Sequence, residues 1–202
     1  MDWFAFEREA AAAGFQAVCG VDEAGRGPLA GPVYAAAVIL PLEHAIEGIN
    51  DSKKLSEKKR ELLFDQITEQ AEAFGIACAS VEEIEEYNIL NATYLAMKRA
   101  VEELEKKADF ALIDGNRLPP LSIPAKAVVK GDSLSASIAA ASILAKVSRD
   151  RFMLQMAELY PQYQFEKHKG YGTALHMQLI RDYGASPIHR RSFLKKLWKE
   201  KK

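Results

Sequence analysis

Ala17-Val18-Cys19-Gly20-Val21-Asp22-Glu23-Ala24-Gly25-Arg26-Gly27-Pro28-Leu29-Ala30-Gly31-Pro32-Val33-Tyr34-Ala35-Ala36-Ala37-Val38-Ile39-Leu40 is the stretch that decides how this chain folds. Two apolar runs, 17–21 and 33–40, have the length and composition of buried strands, and Gly and Pro punctuate the space between them. Asp22 and Glu23 stand where the first run ends. An unpaired carboxylate there contributes nothing to packing, because burying its charge is costly. It makes sense as a ligand for a hard cation. Neighbours on a strand point to opposite faces, so both acids serve one site only if the backbone leaves the strand at about this point. Gly25 and Gly27 permit that turn and let a ligand approach bare backbone amides, and Arg26 adds a fixed positive charge.

Outward from this stretch, apolar runs and breakers alternate. A helix is expected over Trp3–Ala13, then the opening strand pair. A helix capped by Ser56 follows over Glu57–Ala73, and a third strand over Phe74–Ser80. A helical turn at Glu82–Glu86 precedes a long helix over Ile89–Lys107. Residues 109–114 make a fourth strand and Ile123–Val129 a fifth. The long helix Leu134–Tyr160 starts with small residues, which allow close packing on a sheet, and its later half, with Lys146 and Arg149, turns polar. Thr173 caps a helix through Tyr183, Gly184 stops it, and a short basic helix is expected over Leu194–Lys199. The order gives an α/β domain with a mixed sheet: the first strand pair is joined tightly, and later strands cross over through helices.

At 202 residues, with 49% hydrophobic and 27% charged residues, the chain suits one domain with a substantial core. No run is long and apolar enough for a membrane span, and Met1-Asp2-Trp3-Phe4 does not read as a secretory start. Cys19 and Cys78 lie in apolar segments and read as reduced core residues, so a cytoplasmic location is expected. The net charge of −1 hides an asymmetry. Residues 163–202 hold ten Lys/Arg against three acids, while residues 1–162 hold 17 against 25. A basic end on an acidic body points to a polyanion partner.

Three acidic sites share one grammar: Asp22 with Glu23, Asp114 before Gly115, and Asp132 after Gly131, each at or just past the end of an apolar strand. Sites in open α/β sheets gather outside strand ends. Four converging carboxylates raise one another's pKa unless a cation sits among them, and all-oxygen ligation suits Mg²⁺ or Mn²⁺. Two such ions about 3.5–4 Å apart form a clamp for phosphodiester cleavage. Nucleophilic catalysis has no support, since neither a G-x-S-x-G elbow nor a P-loop occurs. His44 stands alone in a loop. His168, His176 and His189 lie in the basic end, where phosphate contact or a plain surface role is expected rather than acid–base work.

Asp22-Glu23-Ala24-Gly25-Arg26-Gly27-Pro28 resembles the signature of ribonuclease HII, the type 2 ribonuclease H family. So do Asn50-Asp51-Ser52-Lys53, Ile113-Asp114-Gly115-Asn116, Lys130-Gly131-Asp132, Ala140-Ala141-Ser142-Ile143-Leu144-Ala145-Lys146 and His168-Lys169-Gly170-Tyr171, in the family's order and over roughly residues 18–193. The resemblance implies a ribonuclease H-like fold, with a central mixed five-stranded sheet flanked by helices and a helical C-terminal extension. Residues 1–160 would form the catalytic core and 161–202 a basic helical region packed on it, a single domain overall. It implies metal-dependent cleavage of RNA in RNA–DNA hybrids and at single ribonucleotides in duplex DNA, by a monomer using two Mg²⁺ or Mn²⁺ ions. Asp22, Glu23, Asp114 and Asp132 look like its metal-binding and catalytic acids. Gly25, Arg26 and Gly27 look like the loop that senses the ribose 2′-hydroxyl, and Tyr171 like the aromatic that packs on the sugar. Lys53 and Lys169 are candidates for phosphate contacts. Ribonuclease HIII resembles the chain less well, since that family tends to carry a different glycine loop and no junction tyrosine. A non-catalytic nucleic-acid-binding module would leave the clustered acids as a liability, and a resolvase or transposase of the same fold would be indifferent to one ribose.

Overall fold

A computed structural model describes residues 2–42 and 46–195. Five strands form one sheet: β1 (Val18–Ala24), β2 (Val33–Ile39), β3 (Ala73–Ala79), β4 (Phe110–Asp114) and β5 (Ala125–Val128), in the spatial order β3-β2-β1-β4-β5. The pairs β1/β2 and β2/β3 are antiparallel, and β1/β4 and β4/β5 are parallel. The sheet is mixed for the reason the connections dictate: a short link folds β2 back on β1, whereas helical crossovers return β4 and β5 in the direction of β1.

The α-helices among the described residues are α1 (Ala5–Ala12), α2 (Glu57–Gln70), α3 (Val81–Glu102), α4 (Ala136–Leu159), α5 (Phe165–His168) and α6 (Ala174–Tyr183). Period-two alternation divides the core. Cys19, Val21, Val33, Ala35 and Ala37 meet Ala92, Ala96, Met97 and Ala100 of α3 on one face. Ala36 and Val38 meet α2 and the alanine-rich half of α4 on the other, and Leu112 meets Ile138 there. Small residues let α4 come very close: a Cβ added to Gly20 would lie 2.2 Å from the backbone of Ser137 and Ile138.

The expected division between a turn at 82–86 and a helix from residue 89 is seen within α3, whose two helical segments are separated at Asn88, with a non-helical φ of 65° and ψ of 164°. Ser80 opens α3 with a capping box to Glu83, and the Asn88 side chain accepts from the Leu90 and Asn91 amides, so it caps the second half where the first ends. The polar later half of α4 includes a fully buried guanidinium, that of Arg149. Ser56 and Thr173 cap α2 and α6 as expected. His44 and most of the expected basic helix 194–199 lie outside the described residues.

Residues 161–195 fold over one end of the sheet against α4 and the loop between β1 and β2. Ala30 and His189 form an isolated antiparallel bridge, and the Leu29 amide donates to the Gly170 carbonyl at 2.8 Å. No helix among the described residues is long and apolar enough to cross a membrane.

Candidate active site

The register of three adjacent strands builds the site. Val21 of β1 pairs with Ile113 of β4, so the next residue along each strand, Asp22 and Asp114, stand side by side on the α4 face. Asp114 pairs with Val128 at the end of β5, and the chain then turns through Lys130, in the left-handed region at φ 58°, into a 3₁₀ turn carrying Asp132. Asp22, Asp114 and Asp132 each bring a carboxylate oxygen within 4.8 Å of the other two. Asp114 is held by the Gly131 amide, which donates to its Oδ1 at 2.7 Å.

Glu23 is outside this set. Strand β1 does not leave the sheet at Asp22 but runs on to Ala24, so the pleat turns Glu23 toward the α3 side. There it pairs with Arg26 (Nη1–Oε1 3.3 Å) and, with Asp114, borders a cleft of about 380 Å³ closed by Leu90, Thr93, Tyr94 and Met97 of α3. It stays close enough to bear on the others. Burial, then the neighbouring Glu23 and Asp114, hold the Asp22 carboxyl well above its usual range. Burial also raises Glu23, with Arg26 opposing, and raises Asp132, with Asp114 and Asp51 adding and Lys53 opposing. Carboxylates so placed resist ionisation until a positive charge arrives.

Among the described residues, Lys53 Nζ lies 3.7 Å from Asp132 Oδ2, and Lys54 also favours the charged form of Asp132. Burial disfavours the Lys53 charge, but Asp22 and Asp132 outweigh that and hold the ammonium above its ordinary pKa. The donor set is all oxygen, convergent and short of compensating charge, so it fits a hard divalent cation such as Mg²⁺ or Mn²⁺.

Against Glu23, on the other side from α3, lies a second cleft of about 220 Å³, lined by Gly25, Arg26, Gly27, Ser52, Lys53, Ser142, Lys146 and Tyr171. Tyr171 is 42% exposed, with the Lys146 ammonium and the Arg149 guanidinium against its ring (5.8 and 5.6 Å). The Ser142 hydroxyl bonds the Ser52 hydroxyl at 2.8 Å and helps favour the charged form of Asp22. Of the sequence-predicted residues, Lys169 is the one held away: its ammonium donates to the Glu166 carbonyl, and its own carbonyl accepts from Arg149. The three histidines are also not surface groups. His168, His176 and His189 are buried in one cluster beneath Tyr171. Sequence reasoning missed Ser52, Ser142 and Lys146 as lining residues, although all three stand in the quoted motifs.

A mixed sheet with cation-ready carboxylates on its central strands defines a class, the metal-dependent nucleases of the ribonuclease H-like fold. The ribonuclease H2 from Pyrococcus horikoshii OT3 shares that fold, with a TM-score of 0.76 and 26% identity over 92% of this chain and 98% of that one. The family model for ribonuclease HII matches residues 19–201. Ribonuclease HII from Caldicellulosiruptor saccharolyticus is 56% identical over 97% of this chain and 96% of its own length. That from Marinomonas sp. strain MWYL1 is 62% identical over 87% and 89%. The chain belongs to the ribonuclease HII family and is a metal-dependent endoribonuclease.

Proposed function

We propose that this enzyme cuts the RNA strand of RNA–DNA hybrids, and cuts duplex DNA on the 5′ side of a single embedded ribonucleotide, leaving 3′-hydroxyl and 5′-phosphate ends. The observation that carries the proposal is the meeting of Asp22, Asp114 and Asp132 beside a cleft floored by glycine backbone and walled by Tyr171. Asp22, Glu23, Asp114 and Asp132 would hold the metal, two Mg²⁺ or Mn²⁺ ions when substrate is bound. Such ions would supply Lewis acidity toward water and charge neutralisation at the departing oxygen.

The protein's own groups do the rest by orientation. Among the described residues the amides of Arg26 and Gly27 have no internal acceptor, so they are free to meet the ribose 2′-hydroxyl, the group that separates RNA from DNA. Tyr171 packs against the sugar. Lys53, facing Asp132, contacts the phosphate, and no side chain is needed as general base. Lys169 contributes through its backbone rather than through a phosphate contact.

The test is a DNA duplex with one ribonucleotide, incubated with and without Mg²⁺ or Mn²⁺ and mapped at nucleotide resolution. A single metal-dependent cut 5′ of the ribonucleotide, absent from the all-DNA duplex, is expected. Cleavage of long hybrids alone would remove the single-ribonucleotide part of the proposal, and cleavage indifferent to the ribose would remove all of it.

A further inference from the structure

Two arginines sit fully buried behind the glycine loop, and neither forms an ion pair with a carboxylate among the described residues. A buried guanidinium with no acid beside it is costly unless its N–H groups find oxygens. Arg190 finds four, all backbone carbonyls of one short segment. Its Nη2 donates to Gly25 O (2.6 Å), Nη1 to Arg26 O (3.0 Å) and Pro28 O (2.9 Å), and Nε to Gly31 O (2.8 Å). The Arg190 amide adds a bond to Leu29 O at 2.8 Å. Arg149 reaches in from α4, donating to Ala30 O, Pro32 O and Lys169 O, with Tyr171 packed over it.

We propose that Arg190 is a positioning residue for ribose recognition: its guanidinium gathers the carbonyls of residues 25–31 inward, which fixes the amides of Arg26 and Gly27 outward toward the 2′-hydroxyl. The inference rests on the function proposed above for the same loop. The chemistry is specific to arginine. A planar fork of five donors serves four differently directed carbonyls at once, whereas a lysine ammonium has three donors around one point. The contact also explains why the 161–195 region packs where it does. Residues 188–190 run beside residues 29–31 like a short added strand, with Gly31 N donating to Ile188 O at 2.8 Å, and deliver the Arg190 side chain under the turn. Arg190 thus sets substrate discrimination without itself touching substrate.

Arg190→Lys and Arg190→Met are the variants, and cooperative melting first establishes that each is folded. With the Mg²⁺-loaded enzyme, kcat and KM are then measured on the single-ribonucleotide duplex, together with the inhibition constant of the all-DNA duplex of the same sequence. A loop displaced by about 1 Å lowers kcat on the order of 100-fold. Loss of the ribose contact raises KM about tenfold toward the all-DNA inhibition constant, which itself stays unchanged. Arg190→Lys is expected between wild type and Arg190→Met. A purely structural arginine would instead lower kcat in step with the folded fraction and leave KM and the inhibition constant alone, and that result overturns the proposal. So does failure of both variants to fold, which would make Arg190 a folding residue. If wild type itself binds the two duplexes equally, the functional proposal has failed rather than the role of Arg190.

Discussion

Gly20 and Gly27 look alike in the sequence and have opposite reasons to be glycine. At Gly20 a methyl group would strike the α4 backbone at 2.2 Å, where nothing can yield cheaply. Gly20→Ala is expected to destabilise the fold by roughly 3 kcal/mol through overpacking, read as a lowered denaturation midpoint. At Gly27 a Cβ meets nothing within 4 Å and the backbone is not in the left-handed region. Gly27→Ala is therefore expected to melt with wild type, within about 0.5 kcal/mol, while losing cleavage at an embedded ribonucleotide because the methyl stands where the sugar must approach. If Gly27→Ala keeps full activity, backbone reading of the ribose at this position is wrong.

At the scale of elements, α4 positions the site and α1 anchors α4. Glu7 of α1 is buried, and its Oε1 accepts from the Ser135 hydroxyl (2.7 Å) and the Ser137 amide (3.0 Å) at the α4 N-terminus. A carboxylate there satisfies free helical donors and meets the positive end of the helix dipole. Glu7→Ala is expected to cost about 2 kcal/mol in urea unfolding, and a cost near zero would show that α1 is a passenger. Much of this level was legible in advance. Strand-end acids beside glycine were visible because the pattern is local, and the capping residues Ser56 and Thr173 because caps act within one turn. What depends on distant partners is not legible. The local pattern does not show that Glu23 turns to the other side of β1 from the three aspartates, because the extension of β1 to Ala24 is fixed by pairing with Tyr34. The burial of Arg149 is equally hidden, because its oxygens, on residues 30, 32 and 169, become neighbours only in the folded chain.

The whole molecule carries a pH liability in its C-terminal region. His176 Nδ1 faces the Tyr171 carbonyl at 2.9 Å, its Nε2 faces His189 Nε2 at 3.0 Å, and His189 Nδ1 accepts from the Ser186 amide at 2.9 Å. His168 stacks on His176 at 4.1 Å, with its Nδ1 accepting from the Gly170 amide. Every ring nitrogen is matched while all three rings are neutral, and a second proton on any of them sets donor against donor. Burial first, and the neighbouring rings second, push His176 down to about 3. Burial likewise takes His189 to about 4 and lowers His168. The unfolded chain takes up these protons near pH 6.5 and the folded chain does not, so this contribution to stability is full above about pH 6.5 and falls as the pH drops toward 4. The raised carboxyls of Asp22, Glu23 and Asp132 act in the opposite sense, so the histidine contribution is read as the melting temperature of wild type minus that of His176→Gln, which is expected to shrink between pH 6.5 and 5. A flat difference in that window would mean the rings accept protons without rearranging.

The central claim is that Asp22, Asp114 and Asp132 form one divalent-cation site. Titration of Mn²⁺ into the wild-type protein and Asp114→Asn, followed by electron paramagnetic resonance and calorimetry without nucleic acid, tests it apart from activity. Wild type is expected to bind Mn²⁺ and to melt at a higher temperature when it does, and Asp114→Asn to lose both effects. Equal Mn²⁺ binding by the two proteins would contradict the account.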